Sequence, residues 1–306
     1  MKTTCANMDI THEDRVVIQP LSPDWYGHKV AALHMLRLDL VHPIVSGNKW
    51  YKLRLNIMYA QDHGFKTLLT FGGGFSNHLI ATAYTARKAG LACIGVVRGK
   101  YPVLTPTLQH CVDEGMQLIF VTKEDYEKQG EPEWEQQLAA QFDELYIIPE
   151  GGDNEWGRKG AGLISKFIKH DYTHIALSVG SGTTLTGIRN KTSPAQHIMG
   201  FVPMKQGNYL TSHIEPHLDP THNTNWQLFD EWHFGGFGKW NDELLSFMND
   251  FYNTNNIPLD IIYTSKMMYG LRQLTNENHF QPTDKILCIH TGGLQGNESV
   301  QDKLFY

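Results

Sequence analysis

A chain of 306 residues, 41% hydrophobic and 19% charged, is long enough for one large or two ordinary domains and too apolar to stay disordered. With 26 Lys and Arg against 32 Asp and Glu, the formal net charge of -6 removes the basic face that a general nucleic-acid binder requires. No apolar run approaches the roughly 18 residues of a membrane helix, and the opening MKTTCANMDITHED lacks a secretory apolar core. The expectation is a cytoplasmic enzyme that acts on a small molecule, with neither nucleic acid nor membrane as a partner.

In chain order, VVIQPL and VAALHMLRLDL read as strands without an intervening helix, and SGNKWYKLRLNIMYAQDHG opens the first long helix. Strand-like runs then alternate with helical stretches: TLLTFGG (67–73), NHLIATAYTARKAG (77–90), ACIGVVRG (92–99), TPTLQHCVDEG (105–115), QLIFVTK (117–123), the stretch 131–142, and LYIIPEG (145–151). A second set comprises THIALSVGSG (173–182), QHIMGFVPM (196–204) and KILCIHTGG (285–293), with helices at 241–252 and 265–274. This alternation predicts an α/β protein with parallel sheets. The expected domains are a larger one from 1–50 and 166–306 and a smaller inserted one at 51–165. WQLFDEWHF is expected to be a strand with one buried face, and KEDYEKQGEPEWE a solvated surface segment. Cys5, Cys93, Cys111 and Cys288 form no CxxC pair and are expected to be free thiols, and the sixteen histidines lack metal-ligand spacing.

Three glycine-containing junctions carry the chemistry, because ligands of open parallel sheets bind at the carboxyl ends of the strands. In SVGSGTTLTG (178–187), small residues free the backbone N–H groups at a helix start, and the hydroxyls of Ser181, Thr183 and Thr184 add donors. A phosphate is the expected guest; the motif is neither a Walker loop nor a dinucleotide fingerprint, which argues against a nucleotide-dependent oxidoreductase. In SGNKWYKL (46–53), Lys49 sits at a helix start whose dipole favours the neutral, nucleophilic amine. Beside a phosphate cradle, such a lysine is a candidate for holding pyridoxal phosphate, which has both an aldehyde and a phosphate. In TFGGGFSNHLIATA (70–83), Ser76 and Asn77 are either ordinary helix caps or a substrate-carboxylate site, with Asn77 on the cofactor's phenolic oxygen and Ser76 near the reacting carbon. Phe75 either narrows that pocket or is a core aromatic.

DLVHPIVSGNKWYKL, GGGFSNHLIATAYTARKAGL, SVGSGTTLTG, HFGGFGKWNDEL, IPLDIIYTSKMMYGL and IHTGG, in this order, resemble the 1-aminocyclopropane-1-carboxylate deaminase/D-cysteine desulfhydrase family of pyridoxal-phosphate enzymes. The resemblance implies the tryptophan synthase β-like architecture (fold type II), two open parallel-sheet domains with the cofactor between them. It implies Lys49 as the Schiff-base lysine, Lys52 as a phosphate partner, Asn77 on the ring oxygen and Ser76 as the active-site serine. Gly180, Ser181, Gly182, Thr183 and Thr184 would cradle the phosphate, Thr291 would meet the pyridine nitrogen, and Tyr263 would stand by the substrate with His78, Phe237 and Thr264. A homodimer is also implied.

Thr264 and Thr291 match the pattern of the desulfhydrases; the deaminases carry Glu and Leu there. A carboxylate at the ring nitrogen makes a strong electron sink, whereas a hydroxyl makes a weaker one, sufficient to expel thiolate. The expectation is therefore β-elimination from D-cysteine, with Lys49 as the base. The deaminase and a cofactor-binding protein with little catalysis are the alternatives, the latter because Phe237 replaces a family tyrosine.

Overall fold

The computed structural model describes residues 12–207 and 209–306; Cys5 lies outside them, and Cys93, Cys111 and Cys288 are free and buried. The strands are β1 (Ile18–Pro20), β2 (Ala32–Arg37), β3 (Thr67–Gly72), β4 (Ala92–Arg98), β5 (Met116–Val121), β6 (Leu145–Ile148), β7 (His174–Ser178), β8 (His197–Phe201), β9 (Trp226–Phe229) and β10 (Lys285–His290). The helices are α1 (Pro23–Tyr26), α2 (Asn48–Asp62), α3 (Asn77–Ala89), α4 (Pro106–Asp113), α5 (Lys123–Tyr126), α6 (Pro132–Ala139), α7 (Glu155–Gly162), α8 (Thr183–Arg189), α9 (Tyr209–Ile214), α10 (Asp242–Asn255) and α11 (Thr264–Asn276). None is long and apolar enough to cross a membrane.

Six strands form one sheet in the order β1-β2-β10-β7-β8-β9, and four form a second in the order β5-β4-β3-β6. Every pairing is parallel except β1 with β2, the antiparallel edge. The central strands β7 and β10 are buried, as the near-continuous apolar runs IALS and ILCI require of strands covered on both faces. One core cluster joins Leu68, Leu79 and Ile148 of the smaller sheet's layer to Ile175, Leu177 and Ile289 of the larger. The two α/β layers therefore share a floor.

The helices start where the sequence supplies caps. Ser76, Thr105, Asn154 and Asn241 each accept an N–H from three residues on, and Gly90 ends α3 in the left-handed conformation. The strand and the charged segment expected at the surface gain detail, the latter staying largely exposed. The strand predicted in WQLFDEWHF ends at Phe229, and the charged segment after β5 folds into α5 and α6, with Tyr126 buried edge-on against Phe71.

Helix α7 is absent from the sequence reading because its residues EWGRKGAG include three glycines, each costing about 1 kcal/mol in a helix. Their purpose is close approach: a Cβ on Gly160 would run into the Tyr51 carbonyl of α2. Gly160→Ala should thus combine an overpacking cost of about 1–3 kcal/mol with a helix-propensity gain near 1 kcal/mol. A net loss of stability, read as a fall in melting temperature of a few degrees, is expected; an unchanged or higher melting temperature would show that the α2–α7 contact yields freely.

Candidate active site

The strand order creates the site. Because β10 lies between β2 and β7, the loops that follow these three strands end side by side, bringing Lys49, Thr291 and Ser181 together from distant parts of the sequence. The β3–α3 turn of the other sheet supplies Ser76 and Asn77.

Lys49 is the second residue of α2. Its Nζ donates to Asn48 Oδ1 at 2.9 Å, and Asn48 Nδ2 donates to Thr184 Oγ1 at 2.9 Å, so a single asparagine ties the amine to the glycine-rich cradle. Burial lowers the Lys49 pKa to about 8, opposed by the charge of Asp260. Removal from water therefore does most of what the sequence reading assigned to the helix dipole. Lys52, one turn on, is held well below the ordinary lysine range by burial and then by Lys49, with Asp153 opposing.

The cradle is the turn Gly180–Gly182 and the start of α8. Thr183 Oγ1 donates to Asp153 Oδ1 at 3.1 Å, so Ser181 Oγ, 2.7 Å from Thr183 Oγ1, must donate to it. Asp153 also accepts from Arg158 Nη1 at 3.0 Å and pairs with His213. The ring of Tyr263 stands over the turn: a Cβ on Gly180 would lie 3.6 Å from Cε1 and 3.7 Å from the phenol oxygen. Phe237, 52% exposed, meets Tyr263 edge-on at 5.8 Å. Burial raises the Tyr263 pKa, so the phenol stays protonated at neutral pH.

Ser76 caps α3 by accepting from Leu79 N at 3.3 Å, which leaves its hydroxyl proton free at a half-exposed position. Phe75 beside it is 56% exposed, which excludes the core-aromatic reading. The Asn77 Oδ1 is buried with no hydrogen-bond partner. Thr291 immediately follows β10, and its carbonyl accepts from Asn48 N at 3.3 Å.

Two positions differ from expectation. His78 is buried: the Thr70 hydroxyl donates to the Ile148 carbonyl at 2.8 Å, so His78 Nε2, 2.9 Å from that hydroxyl, must carry the proton. Its Nδ1 is a buried bare acceptor, a Cβ on Gly152 would lie 3.7 Å from its ring, and burial holds its pKa well below the usual value. His78 thus belongs to the frame under Lys52, not to the substrate wall. Thr264 is fully buried, with its one hydroxyl proton given to Asp260 Oδ2 at 2.6 Å and its oxygen accepting from Asp260 N at 2.8 Å. It has no proton to offer a ligand. Thr264 clamps Asp260 instead.

Asn48, Asp153 and Asp260 were missed as site residues although each lies in or beside a motif already singled out. Their signal is adjacency to Lys49, to the Gly151–Gly152 pair and to Tyr263. The polar groups fit a phosphorylated aldehyde with an aromatic ring: a largely buried amine of lowered pKa, a second buried lysine, small hydroxyl residues at a helix start, and an orphaned acceptor, the amide oxygen of Asn77.

Comparison with known proteins agrees. The family model for "Pyridoxal-phosphate dependent enzyme" matches residues 27–292. A Thermotoga maritima protein named "Putative 1-aminocyclopropane-1-carboxylate deaminase" is 28% identical over 290 residues, 89% of this chain and 90% of its own length. A Pyrococcus horikoshii protein of the same name is 29% identical over 290 residues, 90% of this chain and 88% of its own. The crystal structure of an ACC deaminase homologue superposes with a TM-score of 0.82 at 28% identity, covering 94% of this chain and 92% of that one. This chain belongs to the pyridoxal-phosphate-dependent enzymes of fold type II, in the 1-aminocyclopropane-1-carboxylate deaminase/D-cysteine desulfhydrase-like family, and its cofactor is pyridoxal 5'-phosphate.

Proposed function

We propose that the protein is a lyase that eliminates the β-substituent of a small amino acid, D-cysteine being the representative substrate. With one water, D-cysteine gives pyruvate, hydrogen sulfide and ammonia. The supporting observation is the acceptor arrangement at Asp260. Its carboxylate accepts from Ile262 N (3.0 Å), Tyr263 N (2.7 Å), Thr264 N (2.8 Å) and Thr264 Oγ1 (2.6 Å), which fills its hydrogen-bonding directions. The partner left for the cofactor's ring nitrogen is the Thr291 hydroxyl. A hydroxyl there suits loss of a thiolate better than opening a cyclopropane with no α-hydrogen.

Lys49 would hold the cofactor through its aldehyde, and its amine, once displaced by the substrate's own amine, would be the base for the substrate α-proton. Lys52 and the 180–184 turn would hold the phosphate, and Asn77 would lie by the ring oxygen. When bound, the cofactor supplies an electron sink for the α-carbanion. Ser76 and the N–H groups behind it orient the substrate carboxylate, while Tyr263 and Phe237 close the opposite wall and exclude water. The working unit is a homodimer in the cytoplasm, in keeping with the commonest symmetry of soluble oligomers.

The 1-aminocyclopropane-1-carboxylate deaminase reading is favoured by the names of the two relatives. The holoenzyme should therefore be offered D-cysteine, L-cysteine and 1-aminocyclopropane-1-carboxylate, with sulfide and keto acids measured. Sulfide and pyruvate from D-cysteine, without 2-oxobutanoate from the cyclopropane, are expected. Predominant 2-oxobutanoate would replace this proposal with the deaminase, and a coloured but inert protein would replace it with cofactor binding alone.

A further inference from the structure

Lys266 is the third residue of α11 and is buried. That position disfavours a cation twice over, because burial strips water from the ammonium and the first turn of a helix carries the positive end of its dipole. What Lys266 finds there instead of water is backbone. Its Nζ donates to the carbonyls of His233 (2.9 Å) and Gly236 (2.9 Å) in the loop after β9, and to that of Pro203 (3.4 Å) in the loop after β8. Three acceptors match the three protons of an ammonium. The two loops also lie against each other, since a Cβ on Gly236 would come within 3.6 Å of Lys205 Cγ.

The loop after β9 needs such an anchor. Its first part packs on α11: Phe234 meets Tyr269 edge-on at 4.9 Å, and a Cβ on Gly270 would run into the Trp232 ring. Beyond Phe234 the chain reads Gly235, Gly236, Phe237, Gly238. The three glycines bring no side chain to bury, hold φ of 95°, 122° and 68°, and flank an exposed Phe237. Phe234 itself has φ 52°, which is unfavourable for a bulky residue, so the segment does not keep this shape unaided. Gly236 N donates to His233 O at 3.0 Å and Lys239 N to Gly236 O at 3.1 Å, but these bonds tie the turn only to itself. The Lys266 ammonium ties it to the helix.

Phe237 directly follows the anchored Gly236 and meets the ring of Tyr263, which stands over the Gly180 turn. Tyr263 in turn precedes Lys266 by three residues, on the same side of the helix start. We propose that Lys266 is a positioning residue that clips both loops to the start of α11 and so holds Phe237 against Tyr263 as a wall of the substrate cleft. It acts through Phe237 and not on the reacting atoms. This rests on Tyr263 and Phe237 being that wall.

Lys266→Met keeps the length of the side chain and removes its protons. Because hydrogen bonds from a charged donor are lost, the open form of the loop should become about ten-fold more populated. Trypsin should then cut after the exposed Lys239 faster by a similar factor, with cleavage elsewhere close to wild type. In the holoenzyme with D-cysteine, KM should rise about ten-fold while kcat stays within about three-fold, since Lys49, Asn77 and the 180–184 turn are placed by other loops.

A double-mutant cycle separates positioning from a general loss of stability. Phe237→Ala removes the wall and leaves the clip, so adding Lys266→Met to it should change KM by less than about two-fold. Fully additive effects on KM, or an unchanged cleavage rate after Lys239 in a folded Lys266→Met, would overturn the proposal. Should Lys266→Met fail to fold, Lys266→Gln takes its place. A shorter side chain with two protons for three carbonyls should raise both the cleavage rate and KM at least about three-fold, and wild-type values would overturn the proposal. A wild-type holoenzyme inert toward D-cysteine would count against the lyase reading alone, and the cleavage rate after Lys239 then decides the clip.

Discussion

Lys49→Ala is expected to lower β-elimination by about 10²- to 10⁴-fold and to abolish the visible absorbance of protein mixed with pyridoxal phosphate. The reasons lie in one side chain. On the proposed assignment its amine is the nucleophile; burial, the principal cause, lowers its pKa to about 8 and makes neutral base available near physiological pH. Lys49→Arg sharpens the test. A guanidinium retains the positive charge beside Asn48 but does not deprotonate in proteins. If the neutral amine carries the chemistry, the arginine variant is as inactive and colourless as the alanine variant. Turnover by Lys49→Arg within about ten-fold of wild type would show that only the charge at this position matters and would remove Lys49 from proton transfer.

Gly47→Ala should be nearly as damaging through a different cause. Gly47 has φ 64° and ψ -137°, a conformation that L side chains rarely adopt, and a Cβ there would collide with the Thr291 carbonyl. Backbone strain of about 1–3 kcal/mol and a similar overpacking cost are both expected. Relief requires separating the loops after β2 and β10, the same loops that place Lys49 against Thr291. Loss of stability should thus come with loss of cofactor affinity, measurable by thermal unfolding and by titration with pyridoxal phosphate. If the variant melts lower yet binds the cofactor normally, the loop spacing is not what holds the ring in place.

Much of the layout of the candidate site was readable from local chemistry, because a strand, a glycine turn and a helix start form a recognisable unit within about ten residues. The junctions at Lys49, Ser76–Asn77 and Ser181–Thr184 all occur at such units. Partnership was less readable. Thr264 looked like a wall residue because it follows Tyr263, but whether a hydroxyl is free depends on which acceptor lies within reach, and here that acceptor is Asp260 four residues back. His78 likewise sits one residue past Asn77 in a helix, and the 3.6-residue period turns it toward Thr70 and away from the cleft mouth.

By itself, the sequence determined the α/β class, the parallel strands and the approximate spans of the longer helices, since these follow from apolar periodicity, caps and glycine stops acting over short distances. The tertiary structure alone decided that β10 enters between β2 and β7, which sets Thr291 beside Lys49 across some 240 positions of sequence. It also decided that the glycine-rich 155–162 segment is a helix, because close packing on α2 and α8 offsets a poor local propensity. Finally, it decided the electrostatics. Charge states in the cleft depend on burial and on neighbours such as Asp260 and Asp153, quantities that no spacing of residues along the chain contains.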